Sequence, residues 1–156
     1  MIISRRYEMK VKDLMSTNIV CSREDSSIYS IAKEMRKENI GSLPVCDDSG
    51  HIKGIITDRD IILRFLAGMC STDSIEDCLK SAHSVTASQI MTTCPVTVSA
   101  EMNIHEAALI FSAKQIRRLP VVENSKLVGM LSLGDLAVKR VCTDEAGDAL
   151  SSISCN

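Results

Sequence analysis

The chain matches itself. At an offset of 76 residues (91 − 15) Met15 meets Met91, Val20 meets Val96, Ile28 meets Ile104, Ala32 meets Ala108 and Ile40 meets Ile116. Leu43-Pro44-Val45 likewise meets Leu119-Pro120-Val121. One residue is then lost in a turn. At an offset of 75 Gly54 meets Gly129, Thr57 meets Ser132, Asp60 meets Asp135 and Ile61 meets Leu136. A fixed period constrains the fold more than any other feature, because each copy is one supersecondary unit that must bury its apolar face against something. The whole chain has 156 residues, and half of that is small for an independent core. The two copies are therefore expected to pack against each other.

Both copies read alike. A helical turn, Lys12-Asp13-Leu14-Met15 or Ser88-Gln89-Ile90-Met91, leads into an extended piece, Ile19-Val20-Cys21 or Val96-Thr97-Val98. An amphipathic helix follows, since Ile28, Ile31, Ala32 and Met35 fit the i, i+3, i+4, i+7 spacing of one buried face. Ile104, Ala107, Ala108 and Phe111 repeat that spacing, and Asn103 with Glu106 has the form of a capping box. Next comes a hairpin, Ser42 to Cys46 with Ile52 to Thr57 around the turn formers Asp47-Asp48-Ser49-Gly50. In the second copy it is Leu119 to Val122 with Leu127 to Ser132. A last helix starts near Asp58 and near Leu133. Ile61, Ile62, Leu63, Phe65 and Leu66 make the first of these apolar nearly all round, so it needs a second surface.

The order turn, strand, helix, strand, strand, helix predicts an α/β (α+β) fold of two tandem repeats, packed as a pseudo-twofold pair. The boundaries read as 8–70 for the first repeat, 71–86 for a linker with a short helix near Ile75 to Leu79, and 87–142 for the second repeat. The Ser-rich, acidic tail 143–156 reads as flexible.

Composition removes several functions. A net charge of −2 and a pI near 5.9 give no general attraction to nucleic acid or an anionic membrane. Three basic pairs, Arg5-Arg6, Arg117-Arg118 and Lys139-Arg140, are set against that balance and against an aromatic content of 3%, too low for a base-stacking platform. No apolar run approaches the ~20 residues that span a bilayer. Met1 to Arg6 lacks the apolar core of a signal peptide, so a cytoplasmic protein is expected. The seven cysteines are odd in number and form no C-x-x-C pair, so they read as free thiols in a reducing compartment. His51, His83 and His105 have no ligand spacing, and no metal site is expected. No G-x-S-x-G, H-E-x-x-H or phosphate-loop pattern occurs, so no catalytic residue and no required cofactor are expected.

Two short motifs carry the functional question. Thr57 and Asp60 form T-x-x-D at a helix start, and Ser132 and Asp135 form S-x-x-D. On spacing alone these are helix caps. The same geometry lets a carboxylate accept ribose hydroxyls, while the hydroxyl and helix N–H groups meet a phosphate. Arg117 and Arg118, just before Leu119-Pro120, are an exposed basic pair or a phosphate contact. The first copy has Gly41 and Ser42 there, so the copies are unequally equipped. Arg59 is a further candidate for phosphate.

The pieces Lys12 to Met15, Gly41 to Val45, Gly54 to Ile61, Arg117 to Val122 and Gly129 to Leu136 together resemble the cystathionine β-synthase (CBS) domain family. The resemblance covers roughly residues 10 to 141. Two such domains in tandem form a Bateman module, and this chain resembles the free-standing bacterial kind. The resemblance implies sheets that face each other across two clefts, which commonly bind AMP, ADP, ATP or S-adenosylmethionine as a regulatory ligand. It places the ribose on the T-x-x-D aspartates, which turns the cap reading towards a ligand. It also places phosphates near the arginines and an adenine against Ile19, Val20, Pro95 and Val96. A homodimer through helical faces, with Leu136, Val138 and Val141 contributing, and an unnamed regulated protein are the expected partners. The alternative is a ligand-free interaction module.

Overall fold

The computed structural model describes residues 9–70, 74–138 and 143–154. It opens with a 3-10 turn, Val11–Asp13, followed by helix α1 (Ile28–Glu38), strands β1 (Ser42–Cys46) and β2 (Ile52–Thr57), and helix α2 (Asp58–Asp60), which runs on as a π-helical stretch, Ile61–Leu66. Then come α3 (Ile75–Ser84), α4 (Ala87–Ile90), β3 (Thr92–Thr93), α5 (Ile104–Lys114), β4 (Arg118–Glu123), β5 (Lys126–Ser132), α6 (Leu133–Val138) and α7 (Thr143–Ser154).

Local chemistry sets these elements. The Ser27 hydroxyl accepts from Ser30 N at the start of α1, and Asn39 ends it in the left-handed region, φ 54. Asn103 accepts from His105 N at the start of α5, and Gln115 ends that helix at φ 55. Both helices therefore stop through the same left-handed cap, 76 residues apart. Ile28, Ile31 and Met35 are buried as their spacing predicts, while Ala32 is exposed. In α5 all four expected residues, Ile104, Ala107, Ala108 and Phe111, are buried. Each large side chain so removed from water contributes about 1.5–3 kcal/mol.

The hairpins fall where the sequence puts them. Ser42 pairs with Thr57 and Arg118 with Ser132, and the register slips after Val45 in one hairpin and after Val121 in the other. Asn124 (φ 50) and Ser125 (φ 65) turn the second hairpin with both residues at positive φ, the form that matches strand twist. Asp47 organises the first. Its carboxylate accepts from the backbone N–H groups of His51 and Ser49, which with Lys53 and the His51 ring holds it well below the usual carboxylate range.

The compact units do not coincide with the sequence repeats. One is Val20–Pro95, and the other joins the residues up to Ile19 with those from Val96 on. The turn of each sequence copy thus belongs to the other copy's hairpin. In the unit Val20–Pro95, β3 pairs with β2, and Ala87 N and Ser88 N donate to Ser26 O and Glu24 O. In the other unit Ser16 bridges Met130, and Val11 N and Lys12 N donate to Met102 O and Ala100 O. Glycine makes room for this. A Cβ on Gly54 would lie 2.5 Å from Met91 Sδ and 2.9 Å from Thr92 O, and Gly129 faces Met15 Sδ in the same way. The expected boundaries at 70 and 87 therefore describe the repeats in sequence, not the bodies that fold around a core.

Three expectations change. Residues 143–154 of the expected flexible tail form α7, whose Ala146 and Ala149 are buried in the core with Phe111 and Leu136. Leu136 is therefore fully buried and cannot serve a dimer face. The Val138 side chain and Val141 lie outside what is described. The apolar stretch after Asp60 buries Phe65 in the core of the unit Val20–Pro95, and Ile62, Leu63 and Leu66 stay exposed. In the expected linker, α3 covers 75–84 and packs on α1. Arg5-Arg6, Lys139-Arg140 and 71–73 also lie outside the described residues.

Candidate functional site

The T-x-x-D pair closes into a reciprocal cap. Thr57 ends β2 with extended backbone, and its Oγ1 accepts from Asp60 N at 3.2 Å. Asp60 Oδ2 accepts from Thr57 N at 2.8 Å and from Thr57 Oγ1 at 2.7 Å. The other carboxylate oxygen, Oδ1, lies 3.4 Å from Arg64 Nε, and Arg64 Nη1 donates to Ile90 O at 2.7 Å. The Asp60 side chain is only 13% exposed. Asp58 N donates to Gly41 O, which fixes the turn beside β1, and Ser42 is buried next to Thr57. Arg59 stands exposed.

The S-x-x-D pair is looser. Ser132 Oγ accepts from Asp135 N at 3.2 Å, and Asp135 Oδ2 accepts from Ser132 N at 2.6 Å. Leu133 N donates to Arg117 O, and Arg118 lies opposite Ser132 in the hairpin. Both guanidinium groups are exposed and make no ion pair or hydrogen bond with a described residue. Cap bonds thus occupy one oxygen of each aspartate. Oδ1 of Asp135 has no partner among the described residues, whereas Oδ1 of Asp60 faces Arg64.

The proposed adenine-wall residues are divided between the units. Ile19 and Val96 belong with Arg117, Arg118, Ser132 and Asp135, and Val20 and Pro95 belong with Thr57, Arg59 and Asp60. Ile19, Val20 and Pro95 are half-buried and Val96 is 36% exposed. Arg64 is a neighbour that the sequence reading missed, although its place four residues after Asp60 on a helix was the signal. A separate open groove of about 470 Å3 in the unit Val20–Pro95 is lined by Met35, Arg36, Asn39, Gly41, Asp58 and Ile61, among others. It includes none of the proposed site residues. Among the described residues no cluster of three or more metal-ligating side chains occurs.

A thiol pair stands next to Val20. Cys46, buried as a small core residue, donates to Cys21 Sγ at 3.7 Å. That bond lowers the exposed Cys21 thiol to about 7 and raises Cys46. Iodoacetamide should therefore alkylate Cys21 at a rate that climbs from pH 6 to 8 with a midpoint near 7, as mass spectrometry of the labelled peptide would read. Cys46→Ala removes the donor, and the midpoint should then move towards the ordinary thiol value.

The CBS domain family matches residues 11–67 and 87–140. The YlbB protein of Bacillus subtilis (strain 168) is 35% identical over 146 residues, 93% of this chain and 91% of that protein. A conserved CBS domain protein of Thermoplasma acidophilum superposes with a TM-score of 0.76 over 95% of this chain and 78% of its own, at 23% identity, a likeness of fold. The CBS domain pair of protein MJ0100, solved with 5′-methylthioadenosine and S-adenosyl-L-methionine, gives a TM-score of 0.69 at 28% identity, over 83% of this chain and 94% of that one. The chain belongs to the CBS domain family and carries two of these domains in tandem. No helix among the described residues is long and apolar enough to cross a membrane.

Proposed function

We propose that this chain is a regulatory module that binds an adenosine compound and acts through a conformational change or a partner, without catalysis of its own and in the cytoplasm. The observation that carries this reading is the Ser132–Asp135 turn. There a carboxylate is held by its cap bond with one oxygen left for a ribose, next to two arginines that have no side-chain partner among the described residues. The adenosine ligands of the MJ0100 domain pair support the ligand class. In this reading Asp135 or Asp60 takes the ribose hydroxyls, Ser132 or Thr57 the adjoining polar groups, and Arg117, Arg118 or Arg59 the phosphates. Ile19, Val20, Pro95 and Val96 supply apolar wall.

The test is a thermal-shift panel of AMP, ADP, ATP, S-adenosylmethionine and GTP, because a ligand that binds only the folded state raises its stability. A ligand at 100 times its Kd adds about 2.7 kcal/mol. No shift with any adenosine compound would overturn the reading. Arg118→Ala should then weaken a diphosphate or triphosphate about tenfold more than adenosine, since one charge-assisted bond is lost only where a phosphate is present. Equal weakening, measured by calorimetric titration, would remove Arg118 from the phosphate site.

The exposed Ile62, Leu63 and Leu66 favour a second reading, a homodimer formed through helical faces that needs no ligand. Sedimentation at micromolar concentration would show it, and a monomer there would count against it.

A further inference from the structure

Apart from Cys21 and Cys46, one other pair of thiols is in contact among the described residues. Cys70 Sγ and Cys78 Sγ lie 2.8 Å apart. Cys70 closes the helix end after Leu66, where its N–H donates to Phe65 O, and Cys78 sits in the first turn of α3, donating to Ser74 O. Both pack against the core of the unit Val20–Pro95 while remaining partly exposed, so a small reagent can reach them. Closing the gap to the about 2.05 Å of a disulfide takes a movement of less than 1 Å.

We propose that Cys70 and Cys78 are a thiol–disulfide modification site, taking low-molecular-weight disulfides of the oxidised glutathione class and locking α3 to the end of the apolar helix before it. One sulfur attacks the small disulfide as thiolate, forms a mixed disulfide and expels one small thiolate. The second then attacks the first protein sulfur, breaks the mixed disulfide and expels the other. The two protein sulfurs lose two electrons, the reagent gains them, and the two protons leave with the two small thiols. Cys78 makes the first attack, because its hydrogen bond to Cys70, with burial, raises Cys70 to about 11 and keeps it protonated. Once Cys78 is in the mixed disulfide that bond is gone, and Cys70 is released to resolve it. The bridge ties the short span from Cys70 to Cys78 and pins α3, which packs on α1.

The test uses the full chain with all seven cysteines, reduced and then titrated with oxidised glutathione, and reads the peptides by mass spectrometry. The expected product is a cross-linked Cys70–Cys78 peptide lighter by about 2 Da than the two thiol peptides together, with no glutathione retained. Amide exchange in α3 should slow about tenfold and recover on reduction. Cys70→Ser should leave Cys78 as a persistent glutathione adduct, and Cys78→Ser should leave Cys70 as one, because neither variant keeps a second thiol to resolve the mixed disulfide. Retained glutathione on Cys78 of the unaltered protein, or both thiols still alkylated by iodoacetamide after Cys21 has been consumed, overturns the proposal. So does a cross-link that leaves α3 exchange unchanged.

Discussion

Asp135→Ala is expected to weaken an adenosine compound by roughly tenfold to a hundredfold, the loss of a charge-assisted hydrogen bond to ribose worth about 1.5–3 kcal/mol. The cap predicts a second, separable effect. Asp135 Oδ2 accepts from Ser132 N at the start of α6, so the same substitution should lower stability by about 1 kcal/mol. Asp135→Asn distinguishes the two. The amide oxygen can still accept from Ser132 N, but the charge that favours the ribose hydroxyls is gone. Calorimetric titration of folded Asp135→Asn should therefore show most of the affinity loss with little change in Tm. Affinity equal to that of the unaltered protein would make this carboxylate a cap and nothing more. Asp60→Ala is expected to cost more stability and less affinity, because Asp60 accepts two bonds from Thr57 and faces Arg64. Its acceptor capacity is already more fully used.

Ala149→Asp is expected to destabilise the chain by about 3–5 kcal/mol, because it places an unpaired carboxylate in the core. Ala149 is 1% exposed among Phe111, Leu136 and Ala146. For a chain of this size that corresponds to a fall in Tm of roughly 10 °C, with the midpoint of a thermal melt as the readout. Leu150→Asp, one residue on and 47% exposed, should change Tm by little. A flexible tail would respond to neither substitution. Equal and small effects would therefore remove α7 from the core, and a large effect of Ala149→Asp alone would establish its docking.

That helix shows why parts of the fold escaped the sequence. Ala146, Ala149, Leu150 and Ile153 carry the same i, i+3, i+4, i+7 spacing that identified α1 and α5. Serines and acids surround them, and two of the four are alanines, so composition argued for a disordered tail. Small residues suffice here because α7 lies close against α5 and α6. The Leu136 error followed directly. With α7 taken as flexible, an apolar residue on α6 seemed to need a partner molecule, whereas α7 of its own chain covers it.

The site was legible in part for a similar reason. Thr57, Asp60, Ser132 and Asp135 stood out because hydroxyl-x-x-carboxylate at a helix start has one local geometry, and the caps take that form. Arg64 did not stand out, since an arginine on an exposed helix turn is usually solvated, and only the fold sets Ile90 O within its reach. The pairing of Cys70 with Cys78 was hidden in the same way. Eight residues separate them along the chain, and a helix end followed by a helix start brings their sulfurs together.

The sequence by itself determined the repeat, the two hairpins, the buried face of α5 and that of α1 apart from Ala32, and the T-x-x-D and S-x-x-D caps. Each of these rests on interactions within about a turn of helix or a pair of adjacent strands, where spacing and residue type fix the outcome. Tertiary structure alone decided which turn completes which sheet. The offsets align Met15 with Met91 and Gly54 with Gly129, and they are equally consistent with each methionine packing on its own copy's glycine. In the fold Met91 meets Gly54 and Met15 meets Gly129, so the chain crosses from one unit to the other after Ile19 and after Pro95. The physical reason is that a self-matching sequence gives both copies the same complementary surfaces. Local chemistry cannot distinguish the near partner from the far one, and the path of the connecting chain makes the choice.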